Sequence, residues 1–179
     1  MTSTVVILGS PRKGNSEAIA EAIANEAKAK GNEIKTFKLN QLKARGCQSC
    51  YGCKKAGKCV VKDDMIEVLD AVREADSIIL ATPDYFSQST AQYRMFEDRL
   101  YGFVGPDFQP TITSKKVAIV VTAGSGAGAE NIANSMSGIM ANFFKSEVVG
   151  QLIYAEAKNG AFADNAEFQA KAAEIANKL

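Results

Sequence analysis

Short runs of β-branched and aliphatic residues alternate with stretches of helical periodicity along the chain, and this alternation narrows the possible folds more than any other feature. Residues 4–8 (Thr-Val-Val-Ile-Leu), 77–81 and 117–121 are apolar runs of strand length, and residues 33–39 and 147–154 are weaker strands. Between them lie segments with one apolar face. Residues 16–30 present Ile19, Ala22, Ile23 and Ala27 and stop at Gly31. The next helix begins at Asp64, with Glu67 three residues on as a capping box and Ile66, Leu69 and Val72 facing inward. Residues 89–100, capped by Ser89 and Gln92, place Tyr93, Phe96 and Leu100 inside, and residues 130–144 and 166–179 complete the set. Five strands alternating with five helices specify an α/β fold, a parallel sheet with helices on both faces. In such sheets ligands bind beyond the carboxyl ends of the strands. The loops at Gly9–Ser16, Thr82–Ser89 and Thr122–Ala129 are therefore where function is expected.

Composition removes several alternatives. At 179 residues, with 46% hydrophobic and 23% charged residues, the chain has the makeup of one packed domain spanning residues 1–179. A net charge of +1 disfavours a nucleic-acid partner. No apolar run approaches the roughly 18 residues needed to span a bilayer, and the run after Met1 is too short for a signal peptide, so no membrane partner and a cytoplasmic location are expected. There is no histidine, which excludes Ser–His–Asp catalysis and the HExxH metalloproteases. Any enzyme built on this chain takes its chemistry from carboxylates, thiols, hydroxyls or a borrowed cofactor.

The first loop is Gly9-Ser10-Pro11-Arg12-Lys13-Gly14-Asn15-Ser16. Two glycines bracket four residues as in a nucleotide P-loop, but Asn15 stands where the phosphate-binding lysine belongs. Backbone N–H groups at a helix N-terminus, with Ser10, Asn15, Ser16 and the cations Arg12 and Lys13, suit one phosphate monoester. The plainer reading is a polar turn with Asn15 or Ser16 as N-cap and solvated cations. The second loop, Thr82-Pro83-Asp84-Tyr85-Phe86-Ser87-Gln88-Ser89, carries adjacent aromatics that cannot both be core, since neighbours along a strand point to opposite faces. Either a planar ring packs over one of them, or one is core and the other surface. The third, Thr122-Ala123-Gly124-Ser125-Gly126-Ala127-Gly128-Ala129, contains a loose G-x-G-x-x-A, but the acid expected at the end of the next strand is missing. A loop of small residues that lets a ligand approach the backbone is the better reading.

All four cysteines fall within thirteen residues as Cys47-x2-Cys50-x2-Cys53-x5-Cys59. Structural zinc sites use two pairs separated by a longer loop, whereas successive x2 spacings are those of a ferredoxin-type run around a [4Fe–4S] cube. From Gln41 to Lys62 there are six basic residues and no acid, a field that favours an anionic cluster or an anionic partner. A solvated basic loop with free thiols, or with zinc, stays open on these residues.

The three loops, in this order, resemble the flavodoxin-like NAD(P)H-dependent FMN reductase superfamily, as does Phe96-x-Asp98-Arg99 on the following helix. The resemblance runs from Ser3 to about Tyr154. It implies a five-stranded sheet in the order 2-1-3-4-5 and an FMN site. Ser10, Arg12, Lys13, Asn15 and Ser16 would hold the phosphate. Thr82, Pro83, Asp84, Tyr85 and Phe86 would lie along the isoalloxazine, with Thr122, Ala123 and Gly124 on its far side. Asp84 departs from the apolar residue usual there, and Ser87-Gln88 replaces a pair that commonly contains glycine. Within the superfamily, the cysteine segment followed by Lys62-Asp63-Asp64-Met65 is similar to the iron–sulfur flavoproteins. That likeness implies an insertion at about residues 45–62 in which Cys47, Cys50, Cys53 and Cys59 ligate a [4Fe–4S] cluster.

The function so implied is an FMN-dependent oxidoreductase that passes electrons from NAD(P)H or ferredoxin to a small-molecule or quinone acceptor, in a homodimer or homotetramer. The rivals are a cluster-free NAD(P)H:FMN or quinone reductase, a flavodoxin-like carrier with no substrate of its own, and a thiol or zinc sensor on a flavin-free fold.

Overall fold

The computed structural model describes residues 2–179. Strands β1 (Ser3–Leu8), β2 (Glu33–Lys38), β3 (Ser77–Tyr85), β5 (Lys116–Ala123) and β6 (Glu147–Ala155) form a parallel sheet in the order β2-β1-β3-β5-β6. The short β4 (Gln88–Ser89) folds back antiparallel onto the end of β3. Leaving β4 aside, the order is the expected 2-1-3-4-5. The helices are α1 (Asn15–Ala29), α2 (Gly52–Ala56), α3 (Met65–Glu74), α4 (Ala91–Arg99), α5 (Ala129–Gly138), α6 (Glu156–Asn159) and α7 (Ala166–Ala176).

The period of two along the strands divides the core. Val6 and Leu8 of β1 join Ile79 and Ala81 of β3 under α1 and α7, where Ile19 and Ile23 are fully buried. Val5 and Ile7 join Ile78 and Leu80 on the other face under α3, α4 and α5, with Tyr93, Phe96 and Leu100 packed inside as expected. The strands read as continuous apolar runs because they are covered on both sides.

Four local expectations are revised. The third strand continues past residue 81 through Pro83 to Tyr85. A proline is tolerated in this central strand because the pairing to β1 has already ended at Leu8↔Ala81, so no ladder acceptor awaits its missing N–H. The helix after it is capped by Thr90, whose hydroxyl accepts from Tyr93 N–H at 3.2 Å, and not by Ser89. The Asp64–Glu67 box does not form. Asp64 accepts from Lys43 N–H at 2.7 Å and Glu67 pairs with Lys35 at 2.9 Å, while Asp63 takes the N–H of Met65 at 3.2 Å. The helix expected to Phe144 leaves α-geometry at Ile139 for one wide π-turn.

Among the described residues no helix is long and apolar enough to cross a membrane.

Candidate functional site

Chain direction changes between β1 and β3. From β1 the chain crosses to β2 on one side, and from β3 to β5 on the other. The loops leaving β1, β3 and β5 therefore diverge at neighbouring strand ends, the crevice where open α/β sheets bind ligands. Gly9 sits at its floor. Its N–H donates to Ala81 O at 2.8 Å, and its carbonyl accepts the Thr90 hydroxyl at 2.6 Å. A Cβ at position 9 would lie 2.8 Å from Cβ of Tyr93, so only glycine permits this approach of the first loop to α4.

Residues 10–14 bend into α1. The Ser10 hydroxyl donates back to Arg12 O at 2.6 Å. Asn40, in the turn after β2, donates to Pro11 O at 3.2 Å and is itself held by Gln92 at 3.0 Å. Neither Asn15 nor Ser16 is an N-cap; that position belongs to Gly14, and no side chain caps the helix. Asn15 instead spans to the turn after α6, donating to Gly160 O at 3.3 Å and accepting from Phe162 N–H at 2.9 Å. Ser16 is buried. Arg12 and Lys13 are exposed at the mouth, with Arg12 lying 3.8 Å from Glu156. The side chains thus shape the loop, and the first-turn N–H groups of a 15-residue helix are left open beside two cations. That is a fit for one phosphate group.

The second loop is mostly strand. Thr82 is fully buried, with its hydroxyl accepting from Thr90 N–H at 3.2 Å, and Pro83 pairs with Thr122. Tyr85 and Gln88 flank a two-residue turn, and both of its central residues, Phe86 (φ 55°) and Ser87 (φ 62°), lie in the left-handed region. Hairpins of this length need that conformation but usually meet it with Asn-Gly. A phenylalanine there is strained, and Phe86 is fully exposed while Tyr85 is 42% exposed. Neither aromatic is core. Asp84 turns towards the start of α5, where a Cβ on Gly128 would stand 2.5 Å from its Oδ2. Its Oδ1 is buried without a hydrogen-bond partner, an acceptor suited to a ring N–H. From the third loop, Thr122 and Ala123 are buried at the strand end, and nothing lies within 4 Å of a Cβ built on Gly124. Open backbone from this loop meets the aromatic hairpin across the crevice, a fit for a flat ring.

The four cysteines are on an irregular segment beside the carboxyl end of α4. Together with Arg99, Tyr101 and Gly102 they line one small cavity. Cys47 and Cys50 are exposed, and Cys53 and Cys59 are half-buried. Ser49 (φ 51°) and Tyr51 (φ 55°) hold the turns between them in the left-handed region. The donor set is thiols alone, with no competing carboxylate in the lining, as a soft iron–sulfide group requires. Among the described residues, however, no three acidic or thiol groups converge closely enough to hold a metal ion as they stand.

The residue that sequence reasoning undervalued is Arg99. It is 1% exposed. Its Nη1 and Nη2 form a fork on Asp63 Oδ2 and Oδ1 at 2.9 and 3.1 Å. They also donate to Arg45 O at 2.9 Å and Val61 O at 3.2 Å, and Nε donates to Cys59 Sγ at 3.1 Å. Burial works to raise the Asp63 pKa, but the hydrogen bonds from Arg99 and from Arg45 N–H outweigh it and hold the carboxyl below its ordinary value. Nearby, Lys54 Nζ donates to Val104 O at 2.6 Å and sits 3.6 Å from the Tyr101 ring centroid. The only signal for Arg99 was its match to Phe96-x-Asp98-Arg99.

A family model described as NADPH-dependent FMN reductase matches residues 2–160. An iron-sulfur flavoprotein of Archaeoglobus fulgidus is 37% identical over 138 residues, covering 76% of this chain and 61% of that one. An iron-sulfur flavoprotein of Methanosarcina thermophila is 39% identical over 94 residues, covering 52% of this chain and 49% of that one. The chain thus spans between about half and three fifths of the length of these relatives. Among solved structures, azoreductase AzrA superposes with a TM-score of 0.75 at 20% identity, covering 99% of this chain and all of that one. An NAD(P)H:quinone oxidoreductase from Methanothermobacter marburgensis superposes with a TM-score of 0.71 at 16% identity, over 99% and 96% of the two chains. These two share the fold.

Proposed function

The chain belongs to the NADPH-dependent FMN reductase family, and from that premise we propose that it is a flavin-dependent oxidoreductase of the iron–sulfur flavoprotein type. In this reading it is one FMN-binding domain carrying a cysteine-rich insertion at residues 45–62. It takes electrons from NAD(P)H or ferredoxin, delivers them to a quinone or another small acceptor, and works as a homodimer or homotetramer.

The observation that carries the reading is the uncapped N-terminus of α1 at the topological switch point, with Arg12 and Lys13 beside it. Its amides receive the FMN phosphate, and the two cations add long-range attraction. Asn15 keeps the loop in place from the 160–162 turn. The backbone from Pro83 to Phe86 and from Ala123 to Gly124 borders the ring, and Asp84 Oδ1 offers it an acceptor. Cys47, Cys50, Cys53 and Cys59 hold the cluster. When bound, the flavin supplies hydride chemistry at N5 and the cluster supplies single-electron exchange. The protein's own work is to bind, orient and shield these groups, so the lack of histidine removes nothing the reaction needs.

The test is anaerobic purification followed by iron, acid-labile sulfide and FMN analysis. Near four iron and four sulfide per FMN is expected, with NAD(P)H or reduced ferredoxin bleaching the flavin band. The rival is a cluster-free NAD(P)H:FMN or quinone reductase. That rival gains if FMN is present while iron and sulfide stay near zero after anaerobic reconstitution.

A further inference from the structure

We propose that Arg99 is a positioning residue for the cysteine site: it locks Cys59 in place and, through its Nε–H on Cys59 Sγ, raises the reduction potential of the group the thiolates hold. This rests on the cluster reading above.

The argument begins with valence. A guanidinium carries five N–H donors in a rigid fork and accepts nothing. All five are used here: Nε on Cys59 Sγ, Nη1 on Asp63 Oδ2 and Arg45 O, and Nη2 on Asp63 Oδ1 and Val61 O. Every partner lies between residues 45 and 63, so one side chain of α4 gathers both ends of the cysteine segment. An arginine buried this completely on a helix is costly unless each donor is satisfied and the charge is paired. Asp63 pairs the charge and Arg45 and Val61 take two donors, which would complete a structural clasp. The fifth donor goes to sulfur.

A ligand thiolate carries negative charge, and that charge grows when the cluster gains an electron. An N–H aimed at the sulfur stabilises the reduced form more than the oxidised one, so it raises the potential. Lysine cannot substitute, because a single ammonium cannot reach Asp63, two carbonyls and Cys59 together. Gly102 serves the same end from the next turn. A Cβ there would lie 3.3 Å from the Cys59 Cβ and N, tighter than ordinary packing, and its absence lets the chain after α4 close on Cys59.

The test removes charge and counter-charge together in Arg99→Met/Asp63→Asn, so the net charge beside the cavity is unchanged and a shift in potential cannot come from a change in it. The measurements are iron and sulfide per FMN, EPR-monitored redox titration, and FMN affinity. The expected result is unaltered FMN affinity with a cluster potential lowered by about 59 mV, a tenfold change in the reduced-to-oxidised ratio. Loss of the cluster with FMN affinity intact also supports the assignment, because Cys59 is then no longer held. If the double variant does not fold, Arg99→Lys decides: a lowered potential supports the proposal and a wild-type potential overturns it. A cluster-loaded double variant with an unshifted potential overturns it while leaving the cluster reading standing. Wild-type protein without iron and sulfide after reconstitution overturns both.

Discussion

The loop after β1 and the cysteine segment are both irregular stretches that carry lysine and arginine, yet they are built on opposite principles. The loop at Gly9–Ser16 grows out of a central strand and ends in a long helix, so its shape follows from where the sheet places β1 and α1. Its open donors are backbone amides, and its supports come from the turn after β2, the Thr90 cap of α4 and the 160–162 turn. The segment at residues 45–62 has no strand beneath it, only the five-residue α2 within it. Its main tie is Arg99, with Lys54 and with Arg73, which donates to Gly57 O at 3.1 Å, as lesser ones. A site anchored in secondary structure spreads its dependence over many contacts. A site hung on one buried ion pair concentrates it.

That contrast can be broken most forcefully at Arg99. Arg99→Met leaves Asp63 buried without its partner and should cost about 3–5 kcal/mol, read as a lowered urea midpoint. The FMN affinity of the folded fraction should be unchanged, and a fall in it would show that the two regions are not separable. Acid should loosen the same clasp reversibly. Because Asp63 is held below its ordinary 3.8, its pairing contributes fully above that value and is lost as the pH falls through the lower folded value. Wild type should therefore lose more stability in that acid range than Asp63→Asn, which keeps only the acid sensitivity of other lowered carboxyls such as Asp76, so the two urea midpoints converge.

At the other region, Arg12→Glu should weaken FMN binding about tenfold, or ~1.4 kcal/mol, and leave riboflavin binding unchanged. Equal losses for both ligands, in fluorescence titrations, would remove the phosphate from this loop. The smallest effect is expected at the hairpin. Phe86→Asn/Ser87→Gly fits the left-handed turn and should raise stability by about 1 kcal/mol. If Phe86 borders the flavin, the same variant should bind FMN more weakly and recover flavin fluorescence. A stability gain with unchanged flavin properties would mark the aromatic as incidental.

Legibility in the sequence followed the same division. The strands were readable because burial on both faces turns them into unbroken apolar runs such as Val5 to Leu8. Helix faces were readable from the spacing of Tyr93, Phe96 and Leu100. What misled was chemistry whose partner is distant in sequence. Pro83 reads as a strand end, yet the ladder that would reject it has already stopped. Asn15 reads as a cap, but its amide is committed to Gly160 and Phe162. Asp64 and Glu67 match a capping box and are both claimed by lysine residues elsewhere, one through a backbone N–H and one through an ammonium. Arg99 enters the sequence reading only through its match to Phe96-x-Asp98-Arg99. Only the fold shows that five acceptors from residues 45–63 converge on it. The cysteine spacing was plain, while the closeness of the sulfurs to one another was not encoded in any local pattern.

The clasp also has a timetable. Arg99 lies 40 residues after Cys59. At a synthesis rate of about 5–20 residues per second, Cys59 leaves the ribosome roughly 2 to 8 seconds before the guanidinium that will hold it. During that interval α4 does not yet exist, and neither do the carbonyls of Tyr101 and Val104 that fix Lys54. Four thiols therefore emerge on a basic, unanchored strip ahead of the structure that orders them. On the cluster reading proposed above, assembly of the cysteine site then waits for α4 and is a late event in the life of each chain.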